Sequence, residues 1–270
     1  MIFDTNVPFT GMQALPAWMM SMDAAGTDKA LLCAGLEGTR YPGGEALYGI
    51  GNAETAKAVA QHPDRLIGCM TLDPRDPGAT GEMARYAGMG FRAVKLFPAQ
   101  GYDIDDPVFN PFFERMEALG LHALVQMGLG GFALQDGDGV RRAPRSAFGY
   151  PMKLDPVCRL FPNISFIVLD MGYPLMMEAF SVHHGNKNIV LQMGGAGTRM
   201  TAPLMAYAAL GGAGFIPLDF SRVVFGSALG GEGCATLAQG WLPLLGCPSG
   251  MAEAVMGGNA AALFCGEKSA

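Results

Sequence analysis

The sequence predicts a single α/β domain built as a (β/α)8, TIM-like barrel. Eight short apolar stretches alternate with stretches of helical periodicity, the pattern of βα units around a parallel sheet. Each stretch is nearly wholly apolar, as strands covered on both faces must be. The length of 270 residues suits eight such units, which take about 250 residues. A doubly wound open sheet is the alternative, weakened by the lack of a GxGxxG turn after the first strand.

The first strand lies within residues 1–9 and ends in a turn at Pro8. Strict alternation puts Asp4, Asn6 and Pro8 on one face and Phe3, Thr5 and Val7 on the other. A Met-rich helix over 13–22 leads to a second strand over 29–33, then a Gly-rich rim loop over 37–51. The helix over 53–61 is stopped by His62-Pro63. Strand three spans 65–72, and a helix over 78–88 ends at Gly88-Met89-Gly90. Strand four is 91–96, a helix covers 107–119, and strand five is 121–126. Residues 128–151 form the longest irregular stretch, expected to be a lid or contact loop over the C-terminal face. Helices over 153–161, 175–183 and 199–210 alternate with strands over 164–170, 188–192 and 222–225. Two short helices finish at Phe264.

Only 16% of residues are charged and half are hydrophobic, against a usual charged share of about 25%. No apolar run reaches the roughly 18 residues of a membrane span. The apolar excess is therefore expected in a large core, in subunit interfaces, or in both, as the 19 Met also suggest. A net charge of −6 argues against nucleic acid or an anionic membrane as partner. The start lacks the pattern of a secretory signal. Six scattered cysteines without a CxxC point to free thiols in a reduced, cytoplasmic setting.

His62-Pro63-Asp64-Arg65-Leu66-Ile67-Gly68, Leu72-Asp73-Pro74-Arg75-Asp76-Pro77 and Gly90-Phe91-Arg92-Ala93-Val94-Lys95-Leu96 follow one another at characteristic spacing. The segment from Tyr102 to Phe109 continues the series, with Phe161-Pro162-Asn163-Ile164, Met171-Gly172, Phe225-Gly226-Ser227 and Gly258-Asn259-Ala260-Ala261. Together they resemble the amidohydrolase-related family of metal-dependent hydrolases and decarboxylases. The resemblance implies metal ligands at strand ends: two His in Asp-x-His-x-His on strand one, one His each on strands five and six, and an Asp on strand eight. At these positions the chain carries Asn6, Pro8, Gln126, Asp170 and Ala228. The ordinary metal centre, and any other cofactor, is therefore expected to be absent. The four His, at 62, 122, 183 and 184, are expected to be surface or capping residues.

Asp4, Lys95, Gln126 and Asp170 are the catalytic candidates, converging at one barrel mouth. A buried lysine suits a base or Schiff-base nucleophile, and two carboxylates suit acid–base work. The competing, favoured reading is that Lys95 and Asp170 form an ion pair filling the space of the lost metal. Asn6, Arg141, Arg142 and Arg145 are candidates for binding an anionic substrate. Met193 to Gly197 is read as a plain βα turn rather than a phosphate site, and Cys33 as a structural thiol. The expected function is a non-catalytic subunit, assembling with itself or with an intact amidohydrolase paralogue. The alternative is a metal-independent hydrolase or decarboxylase of a small carboxylate or amide, working through Lys95 and Asp170.

Overall fold

A computed structural model describes residues 1–35, 39–40, 50–128, 133–135, 141–142, 146–194, 217–227 and 233–266. Eight parallel strands form one sheet in chain order. They are β1 (Phe3–Pro8), β2 (Lys29–Cys33), β3 (Leu66–Thr71), β4 (Phe91–Leu96), β5 (His122–Val125), β6 (Phe166–Val168), β7 (Ile189–Gly194) and β8 (Val223–Gly226). The helices packed outside are α1 (Leu15–Ala24), α2 (Asn52–Gln61), α3 (Ala79–Ala87), α4 (Asn110–Ala118), α5 (Leu154–Leu160), α6 (Met176–Gly185), α7 (Cys234–Trp241) and α8 (Asn259–Cys265). The result is a single-domain (β/α)8 barrel. The helix expected over 199–210 lies outside the described residues. None of the described helices is long and apolar enough to cross a membrane.

Every strand contributes to one buried cluster inside the barrel: Phe3, Leu31, Cys33, Cys69, Ala93, Leu124, Ile167, Val190 and Val224, with Phe264 of α8 as the plug below. Residues one position away, such as Leu32, Met70 and Val94, pack outward against helices. This two-sided burial is why β2, β3, β5, β6 and β8 are almost wholly apolar, whereas β1 carries Asp4, Thr5 and Asn6 within its length.

Side chains rather than a backbone ladder hold the seam between β1 and β8. Thr5 Oγ1 donates to Phe225 O at 2.7 Å, and Ser227 N donates to Asp4 Oδ1 at 2.8 Å. β1 also departs from the expected alternation. Its register against β2 shifts between Asp4 and Val7. Phe3 therefore joins the inner cluster while Val7 packs outside.

The N-terminal face is tied by side chains that reach several carbonyls at once. Asn188 Nδ2 donates to the carbonyls of Cys158, Phe161 and Ile164. Asn259 Nδ2 donates to those of Phe220 and Val223, each at 2.8 Å. Arg65 donates to the carbonyls of Asp28 and Thr27 and pairs with Asp23.

Candidate functional site

The polar residues that the inner face carries gather at the C-terminal ends of the strands, where barrel enzymes place their chemistry. Lys95 lies two residues beyond Ala93 and shares its inward face. Its ammonium donates to Asn6 Oδ1 at 2.9 Å, with Lys95 4% and Asn6 3% exposed. The same ammonium sits 5.5 Å from the centre of the Phe97 ring, a cation–π contact. Asn6 Oδ1 also accepts from the Cys33 thiol at 3.6 Å.

Cys33 and Cys69 are register partners on β2 and β3, and both side chains face the inner cluster, with the Cys69 thiol donating to Met70 O at 3.9 Å. Burial pushes the Cys33 thiol up, but the neighbouring Cys69 thiol and the nearby Lys95 charge outweigh it and leave the thiol below its ordinary value. Burial and the Cys33 neighbour hold Cys69 well above its own. Cys33 was expected to be structural on the ground that no His adjoins it; Lys95 is the group that sequence spacing did not bring to it.

Asp4 is buried at the seam and accepts from the backbone N–H groups of Asn6 and Ser227. Burial raises its carboxyl above the usual range, against the opposing pull of the Ser227 bonds. Gln192, unmarked in the sequence reading, bridges two strand ends. Its Nε2 donates to Gly226 O at 2.5 Å, and its Oε1 accepts from Asp170 N at 2.7 Å. A glutamine two residues inward of a strand end was the available signal.

The expected sixth strand runs too far. β6 stops at Val168, and Leu169–Gly172 forms a tight turn with Asp170 at φ 51° and Met171 at φ 50°. The turn presses the carbonyls of Gly172 and Tyr173 against Gly128, where a side chain has no room. Asp170 is consequently carried on this turn, half-buried, rather than on a strand. The expected Lys95–Asp170 ion pair is not among the ion pairs of the described residues; Lys95 spends its charge on Asn6 instead. Gln126 is half-buried just past β5, its N–H donating to Leu96 O at 3.0 Å.

Arg141–Arg142 forms the edge of a small antiparallel sheet with Ala133–Gln135, which also pairs with Thr39–Arg40. Arg145, Ala228 and residues 195–197 lie outside the described residues, as does half of the 128–151 loop. His183, expected at the surface, is fully buried on the opposite face from this site. His122 is at that face too, its ring 5.7 Å from that of Phe264.

A nearly closed parallel (β/α)8 barrel with a polar cluster at its strand ends defines the TIM-barrel class. The chain belongs to the amidohydrolase family, whose model matches residues 43–265. No curated relative matches it. Among solved structures it is similar to an uncharacterised TIM-barrel protein from Bordetella bronchiseptica, at 17% identity and a TM-score of 0.69, covering 98% of each chain. It is also similar to a probable 2-pyrone-4,6-dicarboxylic acid hydrolase from Acinetobacter baumannii with citric acid bound. That match has 14% identity and a TM-score of 0.64, over 98% of this chain and 99% of the other. A 5-carboxyvanillate decarboxylase from Novosphingobium aromaticivorans with bound manganese matches at 13% and 0.64, over 98% and 97%.

Proposed function

We propose that this barrel has given up the metal centre of its family and works as a non-catalytic subunit, assembling with a metal-bearing homologue or with a second copy of itself. The observation that carries the reading is the buried Lys95–Asn6 hydrogen bond, 2.9 Å long. Asn6 stands where the resemblance places the first metal-binding His. An ammonium hydrogen-bonded to that residue repels a divalent cation at close range. Pro8 offers no side-chain donor atom, Ala228 none either, and Gln126 only a neutral amide. Among the described residues, no three His, Cys, Asp or Glu side chains gather closely enough to hold a metal. These residues do not fit the family's cation. The charge-poor, Met-rich composition supports assembly, because interface cores enrich Met and exclude charge. Elemental analysis of the purified protein, with mass measurement in solution and co-purification from the native host, tests the reading. The expected result is no stoichiometric metal and an oligomer or a co-purifying relative. A stable monomer without a relative, or one equivalent of metal lost on mutating the mouth, rejects it.

A second reading has its own observation. The Lys95 ammonium is buried against a neutral oxygen, so a carboxylate ligand would supply the opposite charge. Two structural neighbours are named for a dicarboxylic acid and for a carboxyvanillate. On this reading the chain hydrolyses or decarboxylates a small carboxylate without metal, through Lys95 and Asp170. Turnover should then survive chelators and be lost in Lys95→Ala and Asp170→Asn. Full activity in those variants would remove the assignment.

A further inference from the structure

We propose that Cys33 and Cys69 form a dithiol site inside the barrel, which a small hydroperoxide oxidises to a reversible disulfide. The two residues face each other in register on adjacent parallel strands, and both side chains belong to the inner cluster. Adjacent strands run about 4.8 Å apart, inside the roughly 4.4–6.8 Å that separates the Cα atoms of a disulfide. The remaining described cysteines have no such facing partner in the strand register: Cys158 is in α5, Cys234 in α7, Cys265 in α8, and Cys247 in the turn after α7.

The surroundings distinguish the two sulfurs. Cys33 is the last residue of β2, touches Asn6 Oδ1, and feels the charge of Lys95. A neighbouring ammonium favours the thiolate, the form that attacks. Burial does not separate them, Cys33 being 1% and Cys69 0% exposed; the contact with Asn6, which also holds the Lys95 ammonium, does. Cys33 is therefore the attacking thiol and Cys69 the resolving one.

In the first step the Cys33 sulfur attacks one peroxide oxygen. An S–O bond forms, the O–O bond breaks, and the other oxygen leaves as water carrying the thiol proton, or as the alcohol for an alkyl hydroperoxide. In the second step the Cys69 sulfur displaces the hydroxyl of the sulfenic acid. An S–S bond forms, the S–O bond breaks, and a water leaves with the Cys69 proton. Two thiols are oxidised by two electrons and one peroxide is reduced; an external dithiol reverses the change. The bond would tie β2 to β3 and withdraw the Cys33 thiol from Asn6. The site requires neither metal nor partner, so it stands apart from the proposed function.

The test is peptide mapping of the folded full chain treated with one to a few equivalents of hydrogen peroxide, then alkylated under denaturing conditions. The expected product is a Cys33–Cys69 cross-linked peptide pair, two hydrogens lighter than its parts and restored by dithiothreitol. Cys69→Ser should leave a dimedone-reactive sulfenic acid on Cys33, and Cys33→Ser should leave Cys69 reduced. The half-exposed Cys234, Cys247 and Cys265 serve as internal controls. Oxidation of those three while Cys33 and Cys69 remain reduced, or cross-linking of either residue elsewhere, overturns the proposal without any variant being needed.

Discussion

Lys95 on β4 and Asn6 on β1 meet inside the barrel through one 2.9 Å hydrogen bond, with almost no solvent on either residue. The pair spans the lumen, since β2 and β3 lie between their strands in the sheet. Removing Asn6 while the ammonium stays should cost far more than removing both members of the pair. Asn6→Ala strands a buried ammonium and should lower stability by about 3 kcal/mol. Lys95→Met fills the same volume with apolar atoms and should be close to neutral. Asn6→Ala in the Lys95→Met background should then cost under about 1.5 kcal/mol. Urea unfolding of the four proteins checks this, and strictly additive losses would show that the two side chains do not depend on each other.

Asp4 makes a contrary prediction about pH. Its folded carboxyl is raised above the value of 3.8 by burial. The folded state therefore holds its proton more tightly than the unfolded chain, and stability from this group is lost as pH rises from 3.8 through the folded value. Asp4→Asn carries no such ionisation. The variant should gain on the parent as pH rises above 4 and level off once Asp4 is fully ionised. Denaturant midpoints across that range read the difference. A gap that shrinks with rising pH would mean that the Ser227 and Asn6 bonds outweigh the burial.

Much of the barrel was legible because each strand is covered on both faces and therefore continuously apolar. β2 and β4 match their predicted spans, and most other ends move by one or two residues. The segments that carry the family resemblance turn out to be partly ties of the N-terminal face. Arg65 and Asn259 hold carbonyls there, and the Phe161–Ile164 corner supplies carbonyls that Asn188 holds. That explains how a chain can keep the family's look while Asn6 and Pro8 replace its motif. What sequence could not give was anything set by register. The shift in β1 put Val7 outside, against simple alternation. The meeting of Cys33 with Cys69 needs the strand pairing to be known first. The departure of Asp170 from β6 depends on left-handed backbone at Asp170 and Met171, neither of them glycine.

Two glycines should respond oppositely to the same substitution. Gly194 ends β7 at φ +139°, and a Cβ there would overlap the Gly226 carbonyl of β8. Gly194→Ala must push apart the ends of β7 and β8, which the Gln192 Nε2 bond to Gly226 O joins, so it should destabilise by about 3 kcal/mol or more. Gly81 lies within α3 with nothing near its missing Cβ. Gly81→Ala should stabilise by about 0.5–1 kcal/mol through the unfolded chain. Thermal unfolding separates the two, and equal small effects would argue against the close approach of β7 and β8.

His183 should make the fold acid-sensitive from the N-terminal face. Nδ1 donates to Ile189 O at 3.0 Å while Nε2 accepts from Asp219 N at 3.1 Å, an arrangement open only to the neutral ring. Burial lowers its pKa to about 4, helped by the Arg222 and His184 charges and opposed by the bond to Ile189 and by Asp219. The unfolded chain takes up its proton near 6.5. Stability from this ring is therefore complete above 6.5 and falls as pH drops toward 4, by about 3 kcal/mol at roughly 1.4 kcal/mol per unit. Replacing the ring in His183→Gln should flatten that slope while leaving an amide to donate and accept. Ring-proton resonances should place the folded titration near 4. A His183 that titrates close to 6.5 in the folded protein, or a variant with the parent's slope, would mean that the ring can leave its two backbone partners without unfolding α6.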